Sequence, residues 1–183
     1  MPATPASFEV GVPTNRRRGR WLVTAAALLA AATLGLSVGI AIAGVDDPPS
    51  RQAVVAEHGA RVMPFDLEAT THVFEPDGVG GIQTVVADDP DDVRQVHLVR
   101  DHMRAEATKF RRGDFDDPAD IHGHDMPGLD VLERNAARLD VTYRDIPAGS
   151  EIRYRGDGPT VVRALHDWFA AQVSDHGRHA TSG

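Results

Sequence analysis

The chain has 183 residues, no cysteine, 19 basic and 27 acidic residues, and a formal net charge of −8. Without cysteine there is no disulfide, thiolate metal site, thiol catalysis or lipidated cysteine anchor. Residues 1–44 carry +3 (four arginines, one glutamate), which leaves −11 on residues 45–183, a poor balance for binding nucleic acid or an anionic membrane surface.

Residues 1–15 are rich in small residues and proline and predict a disordered start to a basic N-terminus, 1–20. Arg16, Arg17, Arg18 and Arg20 precede an uncharged run from Trp21 to Val45. At about 1.5 Å per residue this run is long enough to cross a bilayer core of about 30 Å. The preceding arginines predict that it is a single-pass anchor with the C-terminal domain outside the cytoplasmic membrane. The alternative is a secretory signal cleaved after Ala41-Ile42-Ala43, before Gly44. Residues 46–62, beginning Asp46-Asp47-Pro48-Pro49-Ser50, read as a linker or stalk in which 51–61 could form a short helix.

An exported domain is expected over 63–176, and residues 177–183 read as a disordered tail. Ala69–Phe74 and Ile82–Ala87 predict two strands around the loop Asp77-Gly78-Val79-Gly80-Gly81. Asp89-Pro90 predicts a helix start, with Asp89 as cap and Pro90 as first residue. Its apolar stripe is Val93, Val96, Val99, Met103, Ala107 and Phe110, and Gly113 ends it. A single turn is allowed at Asp117-Pro118, and a second helix is expected over Pro127–Ala137. Leu139, Val141 and Tyr143, then Ile152 and Tyr154, alternate with polar residues around Pro147-Ala148-Gly149, predicting a second hairpin. Gly158-Pro159 opens the last helix, with the stripe Val162, Leu165, Phe169 and Val173.

The order is strand-strand-helix, a connecting helix, then strand-strand-helix. Residues 90–97 and 159–166 share the pattern Pro-x-x-Val-Arg-x-apolar-His. The expected fold class is α+β: two hairpin-helix units pair their strands into one antiparallel sheet with helices packed on it, after one N-terminal transmembrane or signal segment.

Several phrases carry a resemblance: Met63-Pro64-Phe65-Asp66-Leu67, Gly80-Gly81-Ile82-Gln83-Thr84-Val85-Val86, Gly113-Asp114-Phe115, Ile121-His122-Gly123-His124-Asp125-Met126-Pro127-Gly128-Leu129 and Leu165-His166-Asp167-Trp168-Phe169. They resemble a family of short bacterial exported proteins often labelled aspartate carbamoyltransferase. The resemblance covers roughly 63–176 and implies one exported domain. The residues do not support the enzymatic label. The transcarbamoylase motif Ser-Thr-Arg-Thr is absent, no histidine precedes a proline, and no arginine-rich phosphate clamp is present.

Nine histidines all lie after residue 57. With no cysteine, a metal site would use imidazole, carboxylate and thioether, a set suited to copper or zinc. In an extended loop, His122, His124 and Met126 would project to one side. His102 and Glu106, four apart on the first long helix, share a face. His166 and His176 lie at or just beyond the border of the last helix's stripe. The expected metal ligands are therefore His122, His124, Met126, His102, His166 and His176. His72 shares a strand face with Phe74 and becomes a ligand only where that face meets the loop.

Neither a Gly-x-Ser-x-Gly elbow nor His-Glu-x-x-His nor a P-loop is present, so an enzyme is the less expected class and no catalytic residue is assigned. The expectation is a membrane-anchored or secreted domain that binds copper or zinc. The alternative is a non-catalytic interaction module whose partner is a cell-envelope protein.

Overall fold

The structure is a computed structural model that describes residues 49–183. The expected membrane or signal segment, 21–45, lies outside the described residues. Among them no helix is long and apolar enough to cross a membrane.

Two hairpins build the sheet. Strands β1 (Thr70–Asp77) and β2 (Gly80–Ala87) are joined at Gly78-Val79, and β3 (Leu139–Ile146) and β4 (Gly149–Gly156) at Pro147-Ala148. Each has the two-residue loop that suits strand twist. Period-two alternation turns His72, Phe74, Gln83, Val85, Val141, Ile152 and Tyr154 inward. The order is β3-β4-β2-β1-β5. At its centre β2 and β4 are antiparallel, with Gln83 opposite Ile152, Gly80 opposite Arg155 and Val86 opposite Gly149. Pro90 and Pro159 stand 69 residues apart, the same offset as Gln83 and Ile152, so Gln83 faces its own counterpart in the second unit. The remaining pairs exchange about that point, the register of a pseudo-two-fold axis through the sheet.

Helices α2 (Val93–Phe110) and α5 (Pro159–His176) cover one face, each following its hairpin. Helix α2 buries Val96, Val99, Met103, Ala107 and Phe110, and α5 buries Val161, Leu165, Trp168 and Phe169. Trp168 is packed edge-on by Phe110, Phe115 and Tyr154, with ring centroids 5.9, 5.7 and 5.6 Å away. Val93, expected in the stripe, is exposed. The start of α2 is also later than expected. Asp92 caps it by accepting from Gln95 N at 3.0 Å, while Asp89 and Pro90 lie in the preceding turn.

Three further departures position the site. The expected stalk contains helix α1 (Arg51–Val62), capped by Ser50, which buries Val55 and Gly59 as it packs on α3 and α5. The expected tail supplies strand β5 (Ala180–Ser182), which runs parallel to β1 with Ala180 beside His72. The sheet is thus mixed, and the antiparallel expectation holds for the four hairpin strands alone. After α5 a tight 3-10 turn at Gly177–His179 returns the chain along the open edge of β1, whose unpaired backbone groups gain partners. Between the two units lie α3 (Asp116–His122) and α4 (Leu129–Arg134), shorter than the helix expected over 127–137. Gly128 has φ +81°, and a Cβ there would lie 2.1 Å from the Ala164 carbonyl oxygen, so glycine lets α4 seat closely on α5.

Candidate metal centre

The C-terminal halves of α2 and α5, together with α3, meet over the β1–β2 part of the sheet. They line a partly open cavity of about 40 Å³. Each element contributes polar groups to it: His72 and Gln83 from β1 and β2, His102 and Glu106 from α2, Asp117 and His122 from α3, Gln172 and His176 from α5. Met63 and Met103 also line it. Most of the remaining core is apolar, so the polar inward-facing residues are concentrated here.

Three imidazoles form a row. The His72 and His176 ring centroids are 5.0 Å apart, and those of His176 and His122 are 4.9 Å apart. His72 and His122 are each 3 % exposed. Burial holds His72 down to about 4 and His176 down to about 2, with neighbouring imidazoles adding to the effect. His102 is likewise held to about 4 by burial, against the pull of Asp117, and Phe65 packs on its ring at 5.5 Å. Burial thus favours the uncharged form of these rings, in which each carries a nitrogen lone pair.

His122 has a defined tautomer. Its Nδ1 lies 2.9 Å from Asp175 Oδ2. Burial lowers the His122 pKa despite that carboxylate, while hydrogen bonds from Arg51 and His122 hold Asp175 ionised against its own burial. An ionised carboxylate can only accept, so Nδ1 donates and Nε2 keeps its lone pair. Arg51 completes the arrangement: Nε and Nη2 donate to Asp175 at 2.5 and 2.6 Å, and Nη2 also donates to the His122 carbonyl at 2.9 Å.

A second polar group stands at the α2–α3 edge. Lys109 Nζ lies 2.5 Å from Asp117 Oδ2 and 3.0 Å from Glu106 Oε1. The latter is an ion-pair distance without hydrogen-bond geometry, so buried Glu106 Oε1 has no hydrogen bond. Burial, helped by Asp117, pushes Glu106 up to about 7. His72 Nε2 and Trp168 Nε1 are also buried without a partner. Each such group costs about 1–3 kcal/mol, and three of them border a single cavity.

The five histidines and one methionine expected as ligands are divided by the fold. His102, His122 and His176 line the cavity. His124 is exposed, because α3 ends at His122 and the chain turns through Gly123 at φ +93° and is not extended. Met126 is 3 % exposed in the apolar core and is absent from the cavity lining. His166 instead places Nε2 3.0 Å from both the Asp77 and Gly80 carbonyls, where it ties α5 to the β1–β2 hairpin. His72, assigned to the sheet, joins the cluster; sharing the face of Phe74, itself 1 % exposed, was its only signal.

Among the described residues, no three His, Asp or Glu side chains converge closely enough to hold a metal ion as they stand. Two spacings, His72 to His176 and His176 to His122, match those of paired ligands on one ion. With metal–nitrogen bonds of about 2.0–2.1 Å and tetrahedral angles, two imidazole centroids on one ion stand roughly 5 Å apart.

No family model, curated protein or solved structure matches this chain.

Proposed function

We propose that this chain is an exported domain that binds one copper or zinc ion in the cavity between the sheet and the ends of α2, α3 and α5. His72, His122 and His176 supply imidazole nitrogens. Glu106 or His102 is the fourth donor, and Met63 and Met103 favour copper when it is reduced. The observation that carries this reading is the buried row of three neutral imidazoles with an unpartnered His72 Nε2 beside it. Burying imidazole without a partner costs free energy, and a bound ion would satisfy the His72 nitrogen that the fold leaves open. Water is the competing occupant, since about 40 Å³ also accommodates one or a few molecules.

Metal analysis of the purified full chain tests the reading. One equivalent of copper or zinc should remain after desalting. His72→Ala and His176→Ala should each lower affinity at least tenfold, with Trp168 fluorescence as the local reporter in a Trp21→Phe background. Wild-type protein that retains no stoichiometric metal would overturn it.

In that event the interaction-module reading leads. Its support is the sheet face opposite the helices, where Thr71, Val73, Thr84, Arg144, Arg153 and Arg155 are half-exposed or exposed.

A further inference from the structure

Lys109 is the single lysine among 19 basic residues, and it stands against the two carboxylates of the cavity edge. The chain uses arginine everywhere else, including the Arg51 clamp on Asp175. The two cations are held differently. Arg51 forks onto both oxygens of one carboxylate and a carbonyl. Lys109 makes one hydrogen bond, to Asp117, and an ion pair with Glu106 that satisfies no hydrogen bond.

The charges facing this point are Asp117 from α3 and Glu106 from α2, with His102 one turn before Glu106 on the cavity side. Both carboxylates line the cavity, whereas Lys109 reaches them from outside and its side chain is 30 % exposed. Glu106, at 4 % exposure, needs a neighbouring cation or a proton to be tolerated there. An ammonium supplies that charge as a compact point on a flexible stem, which can leave without dismantling a fork of hydrogen bonds.

Resting on the metal-binding reading, we infer that Lys109 is a resident counter-cation of the empty site. It occupies the Glu106–Asp117 carboxylates until a metal ion enters, and the ion then takes over Glu106 and releases the ammonium to solvent. Positive charge beside Glu106 is exchanged and does not accumulate, because ammonium and metal in one small cavity repel each other. An arginine would hold the carboxylates too firmly for this exchange.

Because there is one lysine, its release can be read at a single site. The full chain, with and without one equivalent of copper or zinc alone, is treated with acetic anhydride. Acetylation of Lys109 is followed by peptide mass spectrometry, with the N-terminal amine as internal reference. Bound metal is counted in the same samples. The expected result is stoichiometric metal with Lys109 acetylated severalfold faster than in the metal-free chain. Lys109→Met should bind the same ion about tenfold more tightly, and Lys109→Arg more weakly than the wild type. Stoichiometric binding with an unchanged or slower Lys109 reaction overturns this inference and leaves the metal site standing. Absence of stoichiometric binding overturns both.

Discussion

His122 donates its Nδ1 proton to Asp175 across 2.9 Å, and Asp175 is in turn gripped by Arg51 from the first described helix. The carboxylate thereby selects the imidazole tautomer with its lone pair on Nε2, on a ring that also neighbours the Gln172 side chain; in the proposed site this is the outer-shell arrangement that would orient a metal-bound histidine. The three residues lie at positions 51, 122 and 175. Asp175→Asn should therefore act on the site and the fold together. Metal affinity should fall about 10–100-fold, as for removal of an outer-shell partner. Stability should fall by about 1–3 kcal/mol, because a buried charge-assisted pair is lost. Metal titration and chemical denaturation measure the two effects separately.

Acidification should unfold the metal-free protein from about pH 6.5 downward. The buried histidines have pKa values below the ordinary value of 6.5. Above it, neither the folded nor the unfolded state carries their protons. Below it, the unfolded chain takes up protons that the folded state excludes, so stability falls until the folded pKa is reached. For His72 the interval from 6.5 to about 4 corresponds to roughly 3 kcal/mol. Glu106 acts in the opposite sense. Its folded pKa of about 7 lies above the ordinary 4.5, so its contribution is present below 4.5 and is lost as pH rises through 7. The histidines outnumber it, and the net slope favours neutral pH. Denaturation midpoints measured from pH 8 to pH 4 check this, and a midpoint that rises toward pH 5 would be the contrary outcome.

Helix–sheet packing gives a third expectation. Val96 and Leu165 are 5 % and 0 % exposed on α2 and α5. They stand 69 residues apart in sequence, at equivalent places in the two units. Val96→Asp and Leu165→Asp should each destabilise the fold by several kcal/mol, since each buries a carboxylate with no partner. Thermal melts that match the parent for both variants would contradict the packing.

The histidine loop separates the two roles. His124→Ala should leave both metal affinity and melting unchanged, because the side chain is exposed. Met126→Ala should cost about 2–5 kcal/mol, the usual range for a buried methionine, with little change in metal stoichiometry. A His122/Met126 double variant would therefore combine a lost imidazole with a core cavity. His122→Ala alone is the cleaner probe of binding.

Much of this molecule is written locally in its sequence. Both hairpins follow from alternating residues around short turns, and both long helices from apolar stripes of period three to four. The repeat was legible in two Pro-x-x-Val-Arg-x-apolar-His phrases, and the Gln83–Ile152 pairing has the same offset. Other elements were not legible because their formation depends on distant partners. Helix α1 is held by Arg51 on Asp175 and by packing on α3 and α5. Strand β5 has three residues and exists as the partner of β1. The candidate site divides in the same way. An excess of histidine with no cysteine is a property of composition and pointed to imidazole chemistry. Which histidines meet is a property of the fold, for His72, His102, His122 and His176 come from four elements and face one cavity. Nearness in sequence favoured His124 and Met126, but the turn at Gly123 sends one to solvent and the other into the core. Period and composition specify which face a residue occupies, while only tertiary packing determines which faces meet.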